Sequence, residues 1–437
     1  MRKKIYIVIY NFPPIGAGRA WAWHHFANKL SQNGYDVSII TTEPSKNDPL
    51  YSVSALQMLE NRKYNIIRVN DAKFYYLTYS KYTKPKEEIE TNIRDRKKGI
   101  RSVLIKIYRF FTRIIFYPDR MCMWAKNVRK FLMKQDFSNN DIIISIGFPF
   151  STHYQMYKFA KRKKCKLILD YGDPWHFNPS PETEPKWRQK LDYYIEKKIV
   201  DFADYIIVTT DTTYKAFKKI FKINKIGILR QGVNIKDYFL ENESIEKKEA
   251  IRMVYTGIFY KEIRDPSIFF NALKIIDQKI DYKIEIIIAG RIDPYFSEII
   301  SKLDLKNMKN IKVFFEGNIG FNECIKLQNT SDILLFFSNK YEMQVPGKLY
   351  EYLATDKPIL SISYNKGETE EIIEKHNRGV IVFNDEKLAE KLLNILSTYN
   401  KHECFPSLSN KVVDAYDWKN ISKEALKIIK RVDNTKE

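Results

Sequence analysis

Two series of short, Ile- and Val-rich runs, separated by stretches of helical periodicity, constrain this chain more than any other feature. The first series falls at residues 5–10, 37–41, 142–146, 167–170 and 205–208. The second falls at 253–255, 284–288, 313–315, 333–337, 359–362 and 380–383. The runs barely alternate between apolar and polar positions, as expected of strands covered by helices on both faces of a parallel sheet. Each series therefore predicts a doubly wound α/β domain. Between them, over residues 232–250, turn-formers and charges replace apolar residues, and the domain boundary is expected there. The 437 residues, 44% of them hydrophobic, supply two ordinary cores more naturally than one. Near the end, Ile421, Ala425, Ile428, Ile429 and Val432 recur at helical spacing, which predicts an amphipathic helix over 418–432.

The charge is strongly unbalanced, with 74 Lys and Arg against 53 Asp and Glu and a net charge of +21. Such an excess favours an anionic partner or surface. It is densest over residues 97–134, where eleven basic residues face one acidic residue. There Lys97, Lys98, Arg101, Lys106, Arg109, Phe110 and Arg113 begin a stretch whose apolar residues fall at helical spacing. That pattern predicts a helix lying on an anionic membrane surface. An ordinary surface helix packed on the first domain accounts for the same spacing. No RNP-like, zinc-finger or helix-turn-helix signature is present, so nucleic acid is not expected as a partner. The chain opens without a secretory pattern, no run is long enough to span a bilayer, and Cys122, Cys165, Cys324 and Cys404 stand far apart. A cytoplasmic protein, peripheral at the inner face of the plasma membrane, is the expectation.

Ligands of doubly wound sheets bind beyond the carboxyl ends of the strands. In the first domain the first strand runs into Asn11 to Arg19, a turn containing Pro13, Pro14, Gly16 and Gly18. Gly16 and Gly18 let the backbone approach a ligand, and the following helix offers free N–H groups to a phosphate. A plain turn reads the same way. Further on, Asp170 and Asp173 close a strand, with His153 in the preceding strand-to-helix segment and His176 nearby. Such groups suit hydroxyl binding or proton transfer. A turn capped by Asp173 before Pro174, with surface histidines, is the alternative. The spacing of Asp170 and Asp173 is wrong for a DxD-like metal site, and no metal is expected.

The segment NFPPIGAGRAWAWHHFANKLSQNGYDVSIITT resembles the start of glycosyltransferase family 4 enzymes of bacterial surface-polysaccharide synthesis. DIIISIGFPFSTHYQMYKFAKRKKCKLILDYGDPW, ADYIIVTTDTTYKAF and LRQGVNIKDYF resemble its middle and exit motifs. The second half adds YTGIFYKEIRDPSIFFNAL, IIIAG, VFFEGNI, SDILLFFS and VPGKLYEYLATDKPIL in the family's order. The resemblance covers nearly the whole chain apart from residues 44–113.

It implies an α/β GT-B architecture, two doubly wound Rossmann-like domains facing across a cleft. Residues 1–235 would bind the acceptor and residues 250–405 a nucleoside-diphosphate sugar. A C-terminal helix within 410–437 would pack back toward the first domain. The sugar would pass to a saccharide or polyprenyl-linked acceptor in cell-surface polysaccharide synthesis, with retention and without a metal or other cofactor. The leaving phosphate itself would take the acceptor's proton. Arg264 and Lys348 match the family's phosphate-binding cations, which lower the barrier by meeting charge on the leaving diphosphate. Gly347 lets a helix N-terminus near those phosphates. Glu351 matches the second Glu of the family's Glu, seven residues, Glu motif and would accept hydrogen bonds from ribose hydroxyls. The first Glu is replaced by Met343, with Glu342 one residue earlier, so the donor sugar is not identified. The catalytic set is then Arg264, Lys348, Asp173 and His153. The donor set is Gly16, Gly18, Arg264, Gly347, Lys348 and Glu351. A GT-B-fold sugar-nucleotide epimerase or hydrolase, and a non-catalytic nucleotide-sugar-binding protein at the membrane, are the alternatives.

Overall fold

The computed structural model describes residues 2–16, 18–44, 51–70, 114–178, 185–239, 249–259, 263–290, 294–303, 305–341, 343–405 and 407–434. These residues form two compact units. The first comprises residues 1–209, 213–229 and 422–437, and the second 210–212 and 230–421.

In the first unit seven strands run in order: β1 (Lys4–Val8), β2 (Asp36–Thr42), β3 (Asn65–Val69), β4 (Ile142–Gly147), β5 (Lys166–Tyr171), β6 (Tyr205–Val208) and β7 (Ile226–Ile228). They pair in parallel in the spatial order β3-β2-β1-β4-β5-β6-β7. The helices are α1 (Gly18–Gln32), α2 (Val53–Gln57), α3 (Cys122–Met133), α4 (Phe150–Lys163), α5 (Lys186–Phe202) and α6 (Asp211–Phe221). Tyr6, Val8, Ile143, Leu167, Leu169 and Ile206 pack with Trp124, Val128, Met156 and Phe159 in one core cluster. The alternate residues Ile5, Ile7, Ile142, Ile144 and Ile168 are also fully buried, because both faces of the sheet are covered. This explains the unbroken apolar runs. The sequence reading omitted β3 and β7, whose short strands NIIRV and IGI carry too little apolar signal.

The second unit contains β8 (Ala250–Thr256), β9 (Lys283–Ala289), β10 (Ile311–Gly317), β11 (Ile333–Phe337), β12 (Ile359–Ser363) and β13 (Gly379–Phe383). Its helices are α7 (Ser267–Asp277), α8 (Pro294–Lys302), α9 (Phe321–Asn329), α10 (Gly347–Leu353), α11 (Glu368–Lys375) and α12 (Leu388–His402), and α13 (Trp418–Asn434) ends the chain. The strands, again all parallel, lie in the order β10-β9-β8-β11-β12-β13. Counted within its own unit this is 3-2-1-4-5-6, the doubly wound order, and the first six strands of the first unit repeat it. The order reverses between β8 and β11, and between β1 and β4 in the first unit. Such a reversal opens a crevice beyond the strand ends.

The last helix leaves the second unit after Ile421. Within the first unit Asp433 pairs with Lys3 and accepts a hydrogen bond from Tyr35 Oη at 3.0 Å, and Lys166 Nζ donates to the carbonyl of Val432 at 2.7 Å. No helix among the described residues is long and apolar enough to cross a membrane. Residues 97–113, which carry Lys97, Lys98, Arg101, Lys106, Arg109, Phe110 and Arg113, lie outside the described residues, as does Glu342.

Candidate active site

In the second unit the chain leaves β8 through Gly257, and the following loop carries Arg264. The loop after β11 carries Asn339. The two loops are joined by a backbone hydrogen bond from Lys340 N to Ile263 O, 2.9 Å. Arg264 Nη2 donates to Asn339 Oδ1 at 2.7 Å, so this side chain spans the point where the strand order reverses. Its Nη1 donates to Tyr255 Oη at 3.2 Å and to the Ile258 carbonyl at 3.4 Å. All these acceptors are neutral. Among the described residues no carboxylate pairs with this half-buried guanidinium.

A close approach of backbones shapes the same strand ends. Gly290, at φ +144°, lies where an added Cβ would stand 2.0 Å from the carbonyl oxygen of Gly257. No other residue fits there. Asp265 finishes the loop by accepting hydrogen bonds from the backbone N and hydroxyl of Ser267, which starts α7.

Helix α10 is fastened to the other face of the same strand. Thr256 N donates to Tyr352 Oη at 2.9 Å, and Gln328 Nε2 of α9 donates to Thr256 Oγ1 at 2.8 Å. Tyr255 and Thr256 are consecutive in β8 and so face opposite sides of the sheet. The arrangement therefore holds Arg264 and helix α10 on successive residues of one strand end. On α10, Lys348 Nζ donates to Glu351 Oε2 at 2.6 Å and lies 3.8 Å from Cys324 Sγ. Burial draws the Lys348 ammonium down, but the Glu351 carboxylate more than offsets this, and its pKa stands above the ordinary lysine value. Lys348 is cationic at any physiological pH. Gly347 is exposed, and an added Cβ there would meet nothing within 4 Å. The main chain at the start of α10 is thus open to a ligand.

The structure brings Lys348, Glu351 and Gly347 together on one short helix and sets Arg264 on the strand end to which that helix is tied. Sequence reasoning did not single out Asn339, Tyr255, Tyr352 or Tyr238. Tyr238 is buried, and its phenol is held above its ordinary pKa by burial first and then by the Glu351 carboxylate. Only contacts between segments distant in sequence reveal these residues. Met343 lies in the turn before α10, its carbonyl accepting from Thr210 Oγ1 at 3.2 Å.

The first-unit candidates sit elsewhere and are differently paired. Gly16 and Gly18 follow β1, and Gly18 opens α1. The next residue, Arg19, fills the space beyond the strand ends: its Nε donates to Asp170 Oδ2 at 2.8 Å and its Nη1 to the Leu229 carbonyl at 3.0 Å. Trp23 Nε1 donates to the same carboxylate oxygen. Asp170 is fully buried; burial raises its pKa, and Arg19 and Trp23 oppose that rise. This carboxylate is an internal partner of Arg19, not an exposed group at a strand end. Asp173 stays half-buried in the loop after β5.

His153 is not a surface residue either. It lies in the first turn of α4, fully buried, with Nδ1 2.8 Å from Ser145 Oγ, and burial lowers its pKa to about 3. The imidazole is therefore neutral and shielded from bulk water. His176 is half-buried, its Nδ1 2.6 Å from the Oε2 of buried Glu196.

Residues 239–406 match the family model described as glycosyl transferases group 1. No curated protein sequence matches the chain. Among solved structures it is similar over 99% of both chains to sucrose-phosphate synthase from Thermosynechococcus elongatus, at 13% identity and a TM-score of 0.67. It is similar over the full length of both chains to a glycosyltransferase from Rickettsia africae ESF-5, at 15% identity and a TM-score of 0.64. HepE of Anabaena, solved in complex with UDP and glucose, matches at 13% identity and a TM-score of 0.59, with 99% of this chain and 98% of that one covered. Residues 239–406 thus carry a glycosyl transferases group 1 match, within a chain whose two sheets have the GT-B glycosyltransferase fold.

Proposed function

We propose that the chain transfers a glycosyl group from a nucleoside-diphosphate sugar to a saccharide or polyprenyl-linked acceptor in the synthesis of a cell-surface polysaccharide. The observation that carries this reading is Arg264. A guanidinium at the strand-order reversal whose hydrogen-bond partners, among the described residues, are all neutral oxygens is suited to an anion. The open start of α10 and the Lys348 ammonium add a second source of positive potential on the same strand end. A diphosphate answers both. As the glycosidic bond breaks, charge accumulates on the diphosphate oxygen, and cations already in place stabilise it without reorganisation. Glu351, held toward Lys348, has a second carboxylate oxygen for ribose hydroxyls.

In this reading the departing phosphate accepts the acceptor's proton, which requires no ionised base. The neutral, buried state of His153, hydrogen-bonded to Ser145 at the end of β4, fits that. Asp173, in the loop after β5, would bind an acceptor hydroxyl. Retention of anomeric configuration, without a metal, belongs to the same reading. The net charge of +21 and the basic stretch 97–134 support work at the inner face of an anionic membrane.

A panel of nucleotide sugars in a thermal-shift assay tests the reading, because a ligand bound by the native state alone raises the melting temperature by mass action. A UDP or GDP sugar is expected to raise it and to be consumed when a membrane extract supplies acceptor. No shift with any nucleotide sugar would remove the proposal. Rapid epimerisation or hydrolysis of the donor without acceptor would assign the site to an epimerase or hydrolase.

A further inference from the structure

Hydroxyl residues interrupt the apolar strands of the second sheet at their carboxyl ends. They are Thr256 of β8, Ser338 just past β11, and Ser361 and Ser363 of β12, all buried. Strand geometry puts them on one face. Leu335 and Phe337 of β11 share the core cluster with Tyr255, the residue that meets Arg264. Phe336 points the other way, its ring 6.1 Å from that of Tyr352 on α10. Ser338, two residues further on, keeps to the α10 side. Phe336 pairs with Ser361 of β12, and Ser338 N still donates to the Ile362 carbonyl at 3.1 Å, so the register carries Ser338 alongside Ser363.

Three of these hydroxyls are used within the fold. Thr256 Oγ1 accepts from Gln328 Nε2 at 2.8 Å, and the Oγ atoms of Ser361 and Ser363 are 2.9 Å apart. Ser338 differs. It is 3% exposed, and its Oγ has no hydrogen-bond partner among the described residues. The next residue is Asn339, which holds Arg264, and Arg264 Nε is likewise buried without a partner among those residues. Burying a polar group unpaired is costly, and native structures keep few such groups. Two unpaired donors beside one strand-order reversal point to a ligand that pairs them.

On the nucleoside-diphosphate reading, on which this depends, we propose that Ser338 is a further contact of the donor: its hydroxyl donates to an oxygen of the diphosphate that Arg264 holds. The hydroxyl reaches the phosphate from the α10 side of the sheet and the guanidinium from the Tyr255 side. An oxyanion accepts from both, and hydrogen bonds to a charged acceptor are the stronger kind. Charge gathering on the leaving oxygen strengthens the pair of contacts as the glycosidic bond breaks. A serine also places a donor in a buried position where a third cation beside Arg264 and Lys348 would have to be desolvated.

Calorimetric titration of the full chain with UDP and GDP tests it. Ser338→Ala is expected to weaken binding of whichever diphosphate the wild type takes by about tenfold. The melting temperature without ligand is expected to stay within a few degrees, because the change deletes an unpaired group. Ser338→Cys keeps the shape of the side chain but is a poor donor, so it is expected to lose as much affinity and serves where the alanine variant folds badly. Binding of the matching nucleoside without phosphates, followed by ligand-observed NMR, is expected to be unchanged in both variants. Equal losses for nucleoside and diphosphate would make Ser338 a packing residue and overturn the proposal. Diphosphate affinity that both variants retain overturns it alone, and leaves the donor reading standing. Wild-type chain that binds neither UDP nor GDP removes the donor reading and this contact with it.

Discussion

Beyond β5 of the first sheet Arg19 meets the buried carboxylate of Asp170, whereas beyond β8 and β11 of the second Arg264 meets an amide, a phenol and a carbonyl. Both arginines follow the first strand of a sheet with the same order, and both sit where doubly wound folds bind ligands. One has its charge neutralised internally, and among the described residues the other does not. Fold alone therefore does not decide whether such an arginine is neutralised; the identity of the partner oxygen does.

The same contrast extends to the histidines and lysines. In the first unit burial keeps His24, His25 and His153 neutral, with pKa values lowered to about 4, about 3 and about 3. In the second, Lys348 stays cationic because Glu351 compensates its burial. The first unit spends its polar groups on packing at these positions, and the second holds them toward the open end of the sheet.

Removing Asp170 strikes the comparison hardest. Asp170→Ala leaves the Arg19 guanidinium largely buried without its carboxylate and is expected to cost about 3 kcal/mol or more of stability. Urea unfolding would measure this, and the melting-temperature rise caused by nucleotide sugar should survive. A variant as stable as wild type would show that the pair contributes nothing.

Arg264→Ala comes next, in the opposite quantity. It is expected to weaken nucleoside-diphosphate binding by about 2 kcal/mol, roughly thirtyfold, through loss of a charged hydrogen-bond donor. Calorimetric titration would measure it, and the unliganded chain should keep its melting temperature within a few degrees.

Asn339→Asp converts the second site to the condition of the first. A carboxylate at the present 2.7 Å contact would neutralise Arg264, so affinity is expected to fall about tenfold although the arginine remains. Unchanged affinity would mean that Arg264 does not meet the diphosphate.

The smallest effect is one of pH. His153 has a pKa of about 3 in the fold against 6.5 when free, so the native state binds fewer protons than the unfolded chain between those values. Its contribution to stability is complete above pH 6.5 and is lost as pH falls toward 3. Between pH 7 and pH 6 the loss is expected to be under about 1 kcal/mol for this residue. His153→Gln should flatten the slope of unfolding free energy against pH, and a slope equal to wild type would contradict the burial argument.

Much of the fold was legible in the chain. All six strands of the second sheet and five of the first announce themselves as Ile- and Val-rich runs, because a strand buried on both faces has no polar alternation to disguise it. The strands NIIRV and IGI did not, NIIRV being half-exposed and interrupted by Arg68, and IGI only three residues long. Of the candidate site, the resemblance to a known family pointed to Arg264, Gly347, Lys348 and Glu351. They gave no hint that Asp170 is an internal partner of Arg19, or that His153 is buried.

Local patterning by itself determined the two series of strands, the rhythm of helices between them and the amphipathic close of the chain. These follow from hydrophobic periodicity, which each segment carries independently of its neighbours. Tertiary structure alone decided which cations are neutralised and which are left open. Asp170 reaches Arg19 across 151 residues and Asn339 reaches Arg264 across 75. Partnerships of that span depend on where the sheet places its strand ends, and no window of sequence contains both members.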